Sequence, residues 1–131
     1  MSHKDKALEL HRSGYNCAQS VLCAFADKID IPTEVLFKMS EGYGFGMGNM
    51  QGTCGAISGA VAALGLINSN GTPKSKAETY KRTRRILEGF EKERGAIRCK
   101  DLKDRNGNSF TPCDVCVALA AELLEEELNN N

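Results

Sequence analysis

The chain lacks an excess of charge of either sign and lacks a long run of apolar residues. Lys plus Arg and Asp plus Glu both number 17 in the 131 residues, so the net charge indicates neither a nucleic-acid nor an anionic-membrane partner. The longest apolar run, residues 60–66, includes Gly65 and is far too short to span a bilayer. Residues 1–6 include charged residues of both signs and are not followed by the apolar stretch of a signal peptide. We therefore expect a soluble, cytoplasmic protein.

Several motifs that carry cofactor or hydrolytic chemistry are also missing. A zinc ribbon needs two Cys-x-x-Cys pairs, and the chain has only Cys113 with Cys116. Val117 stands where c-type haem attachment needs a histidine, and no βαβ pattern of the thioredoxin type surrounds the pair. The glycine-rich segment 42–52 matches neither a dinucleotide fingerprint nor a phosphate loop. No Ser-His-Asp or paired-carboxylate pattern occurs, which leaves the cysteines as the chemically informative residues.

Helical periodicity runs through the chain, with little sign of strands. The predicted helices cover residues 4–12, a segment from Asn16, residues 32–40, 53–67, 75–94 and 112–128, with one short turn within 96–103. We expect an all-α, compact bundle of five or six helices, in which the Gly-rich loop leads into a small-residue helix. Residues 1–131 are expected to form one domain with one core.

Capping residues and apolar stripes support these helices. The second helix is capped by Asn16 and has one core stripe, formed by Ala18, Val21, Leu22, Phe25 and Ile29. The long helix is predicted to begin with a Ser75–Glu78 capping box and to bury the stripe Tyr80, Thr83, Leu87 and Phe90. The last helix is predicted to follow a loop at 106–108 and an N-cap at Thr111, and the 129–131 tail to fray.

Charge is unevenly distributed along the second half of the chain. Residues 74–105 carry twelve basic and six acidic side chains, whereas residues 106–131 carry five acidic and no basic ones. We expect the two corresponding helices to attract each other. The two histidines, His3 and His11, fall in the short polar first helix, where we expect them to face solvent rather than to bind a metal.

Three cysteines fall where helices are predicted to begin: Cys17, Cys54 and Cys113. The unpaired N–H groups and the positive end of the macrodipole at a helix start favour a thiolate over a thiol. Cys99 lies between two basic residues, whose cations would lower its pKa if they remain close. Six cysteines in a cytosolic protein favour reduced, metal-bound or catalytic sulfurs over structural disulfides.

The sequence predicts different roles for the other two cysteines, Cys116 and Cys23. Cys116 follows Cys113 by three positions, which places both sulfurs on one side of a helix and makes a disulfide between them geometrically feasible. Cys116 is therefore either a resolving thiol or a packing residue. Cys23 points away from the core stripe and from Cys17, so we expect a surface or interface residue.

Glycines near Cys54 allow close approach of backbone. Gly55, Gly59 and Ala63 recur every four residues, a spacing that lets another helix pack closely. The glycine-rich loop would let N–H groups approach Cys54 or a bound anionic cluster. Gly52, Gly55 and Gly59 are the candidate cofactor-binding residues.

Four segments together resemble a known family. They are residues 14–19 (GYNCAQ), 52–60 (GTCGAISGA), 98–102 (RCKDL), and Cys113 with Val117 and 120–124 (AAELL). They are similar to the C_GCAxxG_C_C family, whose members are described as redox-active, and the match covers nearly the whole chain. The resemblance implies a small helical protein with four characteristic cysteines, here Cys17, Cys54, Cys99 and Cys113. Cys23 and Cys116 lie outside that pattern.

The family is also similar to part of split-Soret cytochrome c, a dimeric protein in which an iron–sulfur centre has been considered beside its haems. Since this chain has no haem-attachment motif, only the cysteine-bearing part can correspond. Independently of the resemblance, small-residue surfaces and a modest core are compatible with a homodimer, although the sequence does not require one, and the redox partner is not identified by the sequence.

Three functions remain open from the sequence. The first is thiol–disulfide redox chemistry, in which a low-pKa cysteine such as Cys54 or Cys113 attacks and another cysteine resolves, so that the chain would act as an oxidoreductase. The second is a metalloprotein in which Cys17, Cys54, Cys99 and Cys113 bind one iron–sulfur cluster or, less favoured, zinc. The third is a binding or scaffold protein whose cysteines only pack.

Overall fold

Helices make up nearly all of the regular structure in the computed structural model, which describes residues 1–103 and 112–130. Seven α-helices occur in these ranges: α1 (His3–Arg12), α2 (Cys17–Ala24), α3 (Thr33–Ser40), α4 (Gly55–Asn68), α5 (Lys76–Arg94), α6 (Cys99–Lys103) and α7 (Cys113–Asn129). The same ranges contain no strand, only an isolated antiparallel bridge between Thr53 and Arg98. The all-α prediction is confirmed, and the count exceeds five or six because the short turn within 96–103 is a separate helix. The predictions for residues 106–108, Thr111 and Asn131 lie outside the described residues.

Helix α2 is the centre of the molecule. The predicted cap is confirmed: the Asn16 side chain accepts a hydrogen bond from the Gln19 backbone N–H, and the Gln19 side chain accepts one from Asn16. All five residues of the predicted stripe are buried, including Ile29, although the helix itself ends at Ala24. Helices α1, α3, α4 and α7 all pack against α2.

Helix α4 packs closely on α2 because it presents glycines to it. A Cβ added to Gly59 would lie 2.4 Å from the Ala18 carbonyl oxygen, and one added to Gly55 would lie 3.4 Å from the Ala18 nitrogen. The predicted close approach through small residues is therefore confirmed. It brings the first turns of α2 and α4 together, and with them Cys17 and Cys54.

The start of α5 differs from the prediction. Ser75 has helical backbone angles (φ −84°, ψ −11°), because a short 3₁₀ turn, Pro73–Ser75, runs directly into α5. A capping residue needs an extended backbone, so Ser75 forms no cap with Glu78; its hydroxyl instead donates to the Thr72 carbonyl. Tyr80 is 57% exposed rather than buried, and the buried face of α5 is formed by Ile86 and Phe90.

Basic α5 packs on acidic α7, as the charge distribution predicts. The Glu127 carboxylate is buried and accepts hydrogen bonds from the Arg85 guanidinium at 2.6 and 3.0 Å. Arg82 donates to the Glu127 backbone carbonyl at 3.2 Å. These contacts hold the C-terminal part of α7 against α5.

The glycine-rich segment between α3 and α4 forms irregular turns rather than a regular α-helix. Three non-glycine residues there have positive φ angles, namely Phe45, Met47 and Met50. Gly46 also has a positive φ of 57°, and a Cβ at this position would lie 2.4 Å from the Cys99 Cβ. The segment therefore lies directly against the N-terminus of α6. Within the described residues no helix is long and apolar enough to cross a membrane.

Candidate functional site

Five of the six cysteines line one cavity of about 230 Å³. They are Cys17, Cys54, Cys99, Cys113 and Cys116. The four cysteines predicted as site residues therefore lie at one place in the fold, together with Cys116. No disulfide joins any of the six cysteines, all of which lie in the described ranges.

Backbone hydrogen bonds hold two of these cysteines beside each other. The Cys54 N–H donates to the Ile97 carbonyl at 2.7 Å, and the Cys99 N–H donates to the Gly52 carbonyl at 2.9 Å. These two bonds form the isolated bridge that ties the start of α4 to the start of α6. Cys17 and Cys113 are the first residues of α2 and α7, whereas Cys54 precedes the first turn of α4.

Cys113 is the most activated thiol of the site. The Lys103 ammonium donates to the Cys113 sulfur, with Nζ and Sγ 3.0 Å apart. A hydrogen bond from the Cys17 thiol, followed by the Lys103 ammonium and the charge of His11, lowers the pKa of Cys113 to about 5, although burial opposes the shift. The lowered pKa favours the Cys113 thiolate at neutral pH, and the half-buried sulfur lines the cavity.

Cys17 is the complementary thiol of this pair. Its hydrogen bond to the Cys113 thiolate raises the pKa of Cys17 well above the ordinary value, and burial and the nearby negative charges act in the same direction. The raised pKa favours the protonated form of Cys17, with its S–H group directed to the Cys113 thiolate. We call Cys17 and Cys113 the outer thiol pair, since both are only half-buried.

Cys54 and Cys116 form a second, deeper pair. The Cys116 thiol lowers the pKa of Cys54, and the backbone N–H groups of Ala56 and Ile57 act in the same direction, although burial opposes the shift. The Cys54 side chain does not cap α4. The interaction with Cys54 and burial raise the pKa of Cys116. Cys54 is 6% and Cys116 3% exposed. We call them the inner thiol pair.

The pKa of Cys99 shifts in the direction opposite to the one that its flanking basic residues predict. Burial raises its pKa, and the cation that opposes this shift is Lys103. Arg98 instead forms an ion pair with Asp101 at 2.9 Å, and Lys100 is exposed. The expectation that these two flanking cations lower the pKa of Cys99 is wrong, because both side chains point toward solvent.

Cys23 is also placed differently from the prediction. It is 5% exposed and lies in the hydrophobic core rather than at the surface. The reason is that α2 is covered on nearly all sides, so a residue outside the main stripe is still buried. Burial raises the pKa of the Cys23 thiol, and Cys23 does not line the cysteine cavity.

Two cavity residues were missed by the sequence reasoning, Lys103 and His11. Lys103 follows Cys99 by four residues on α6, so helical spacing could have placed it near the site. His11 accepts or donates a hydrogen bond at Nδ1 with Asp114 at 2.6 Å, and its Nε2 lies 4.0 Å from the Cys17 sulfur. No local pattern links His11 to Asp114, since 103 residues separate them.

The expectation that the histidines face solvent is wrong for both. His3 stacks on the Phe25 ring with centroids 4.2 Å apart and contacts Glu125 and Asp27 at 2.5 and 2.9 Å. His11 is turned toward the cysteine cavity. The cause is that α1 packs against both α2 and α7, which covers the side of α1 that carries these histidines.

The three candidate cofactor-binding glycines have different surroundings. Gly55 lines the cavity, whereas Gly59 packs on Ala18 and a Cβ at Gly52 would meet Met47. A role of these glycines in cofactor binding stays a prediction. As placed, no group of three or more His, Cys, Asp or Glu side chains among residues 1–103 and 112–130 could hold a metal ion.

Comparison with models of protein families identifies the family of this chain. The model of the C_GCAxxG_C_C family, described as "Putative redox-active protein", matches residues 15–127, a range that contains all six cysteines. Neither the curated proteins nor the solved structures compared with the chain include a match. Because the family match spans most of the chain, the protein belongs to the C_GCAxxG_C_C family of putative redox-active proteins.

Proposed function

We propose that the protein is a thiol–disulfide redox protein in which Cys113 is the nucleophile and Cys17 the resolving thiol. The observation that carries this proposal is the 3.0 Å contact between the Lys103 ammonium and the Cys113 sulfur in a cavity lined by further thiols. An adjacent cation favours the thiolate, which is the reactive form of cysteine. A cysteine that only packs would not need a charged donor.

The reaction has two exchange steps. The Cys113 thiolate attacks one sulfur of a disulfide substrate, so that a mixed disulfide forms at Cys113 and the other half of the substrate leaves as a thiolate. Cys17 then loses its proton and attacks the Cys113 sulfur; the Cys17–Cys113 disulfide forms, and the second half of the substrate leaves. The substrate gains two electrons, the outer thiol pair loses two, and the proton of Cys17 passes to a departing thiolate.

The outer pair fits these roles better than the inner pair. Cys54 also has a lowered pKa, but its sulfur is almost completely buried and a substrate disulfide cannot reach it directly. Cys17 and Cys113 begin α2 and α7, which pack against each other, and both line the cavity, so Cys17 is placed to act as the resolving thiol. Cys116, the alternative resolving thiol, is paired with Cys54 instead.

Single substitutions test this assignment. Reduced protein is treated with one equivalent of oxidised glutathione, and adducts and disulfides are located by peptide mass spectrometry. In samples quenched with acid at early times, we expect the first disulfide to be Cys17–Cys113 in the wild type and in the Cys23→Ser control, the first glutathione adduct to be on Cys113 in Cys17→Ser, and neither product in Cys113→Ser. An adduct that first appears at another cysteine, or a wild type whose thiols stay unreactive, would overturn the proposal.

The convergence of five sulfurs on one cavity also supports a second candidate, an iron–sulfur cluster or zinc bound by Cys17, Cys54, Cys99 and Cys113. As placed, the described sulfurs are paired as thiols and do not form a metal-binding group, so binding would require the pairs to separate. Stoichiometric iron and sulfide with visible absorbance in anaerobically purified protein would favour this candidate. Colourless, metal-free protein with a reversible loss of two thiols would favour exchange.

A further inference from the structure

The inner thiol pair has no part in the exchange reaction just described, yet it lies in the same cavity. Both Cys54 and Cys116 line the cavity, and both are less than one-tenth exposed. Cys54 directly precedes α4 and Cys116 lies on α7, two helices that pack against each other, and the Cys116 thiol lowers the pKa of Cys54. Because both residues are almost completely buried, a disulfide substrate cannot contact this pair directly.

The inner pair adjoins the outer pair through Cys113. Cys116 lies three residues after Cys113 on α7, so both side chains point to the same side of that helix. The negative charge of Cys113 raises the pKa of both Cys54 and Cys116, which places the charge within electrostatic reach of the inner pair.

From this arrangement we propose that the inner thiol pair is an internal reductant, which reduces the Cys17–Cys113 disulfide and lets one chain deliver two electron pairs. The inference rests on the proposed function, because it requires that Cys113 forms a disulfide first. It assigns a role to Cys116, which lies outside the four-cysteine pattern of the family.

The relay is a balanced pair of exchanges. The Cys54 thiolate attacks the Cys113 sulfur of the outer disulfide; the Cys54–Cys113 bond forms, the Cys17–Cys113 bond breaks, and Cys17 leaves as a thiolate. Cys116 gives its proton to Cys17 and attacks the Cys54 sulfur, so that the Cys54–Cys116 bond forms and Cys113 leaves as a thiolate. The inner pair has lost two electrons, and the outer pair has gained them.

A variant that lacks the resolving thiol isolates the relay. In Cys17→Ser, glutathione added to Cys113 can be displaced only if another thiol of the chain attacks that adduct. We expect the adduct to decay with the loss of two protein thiols as a Cys54–Cys116 disulfide forms. The double variant Cys17→Ser/Cys54→Ser should keep the adduct, whereas the matched control Cys17→Ser/Cys23→Ser should lose it as the single variant does.

The outcomes separate this inference from the proposed function. An adduct on Cys113 that persists equally in Cys17→Ser and in the double variant, both folded by circular dichroism, would overturn the relay and leave the exchange reaction intact. A Cys54–Cys99 disulfide in place of Cys54–Cys116 would also overturn it. If no adduct forms on Cys113 in any variant, the proposed function itself fails.

Discussion

Among single residues, Cys113 carries the reactivity of the site, and its thiolate should control the pH profile. The thiolate is the deprotonated form, so alkylation by iodoacetamide rises with pH and is half-maximal at the pKa. With the pKa of Cys113 lowered to about 5, we expect its alkylation rate to be near its plateau at neutral pH. Cys23, whose pKa burial raises, should stay slow there. Equal rates at the two positions, measured by peptide mass spectrometry, would contradict the assignment.

Lys103 should determine the pH at which Cys113 becomes reactive, because its ammonium lowers the pKa of Cys113. Substitution of Lys103 by Met keeps much of the side-chain volume but removes the ammonium 3.0 Å from the Cys113 sulfur. Loss of a neighbouring opposite charge should raise the pKa of Cys113 by about 1 or more. The same alkylation profile measures the shift.

A matched control is available on the same helix. Lys100 is exposed on α6, so Lys100→Met removes the same charge from the chain without altering the Cys113 contact. Its profile should overlay that of the wild type. If Lys103→Met overlays it too, the ammonium does not activate Cys113.

Residues of the site differ in how far they could be predicted from sequence. Cys17, Cys54 and Cys113 stand at or next to helix starts, which local signals such as the Asn16 cap reveal. His11 could not be found in this way, because its contact with the site depends on how α1 packs against α2 and α7. The role of Cys116 cannot be predicted locally either, since Cys54, the thiol that most affects its pKa, is distant in the chain.

At the scale of helices, the contact between α2 and α4 positions one cysteine of each thiol pair. Gly59→Ala would place a Cβ 2.4 Å from the Ala18 carbonyl oxygen, which is backbone and cannot move without shifting a helix. We expect a loss of about 1–3 kcal/mol in the free energy of unfolding, measured by urea denaturation.

The same helix supplies the control for this prediction. A Cβ at Gly65 meets no atom within 4 Å, so Gly65→Ala should be neutral or stabilise the protein by up to about 1 kcal/mol through helix propensity. If Gly59→Ala is as stable as Gly65→Ala, α2 and α4 are not in close contact. A Gly59→Ala protein that still folds should also show slower formation of the Cys17–Cys113 disulfide.

Helix positions followed from periodicity, but details at their ends did not. The stripe of α2 and the glycine spacing of α4 are visible in the sequence because they repeat with the helical period. Ser75 fits the capping pattern equally well, yet the preceding 3₁₀ turn gives it helical angles and removes the cap. Whether a residue can cap a helix depends on the backbone angles of the residues before it as well, and a four-residue sequence pattern does not determine those angles.

In the whole molecule, helix packing brings cysteines that are far apart in sequence together at one site. The starts of α2, α4, α6 and α7 meet at a single cavity, and the attraction between basic α5 and acidic α7 fixes the last of these helices. The all-α class and the attraction between α5 and α7 could be predicted from composition and charge. The pairing of Cys17 with Cys113 and of Cys54 with Cys116 could not, because it depends on long-range packing.

The central claim is that Cys17 and Cys113 form a redox-active pair. Its most direct test is the disulfide map of the wild-type protein after one equivalent of oxidised glutathione, recorded with the thiol count before oxidation, after it and after re-reduction. The account predicts that Cys17–Cys113 is the first disulfide to form, before any Cys54–Cys116 disulfide, with a loss of two thiols and full recovery on reduction. Six thiols that remain free and unmodified would contradict it.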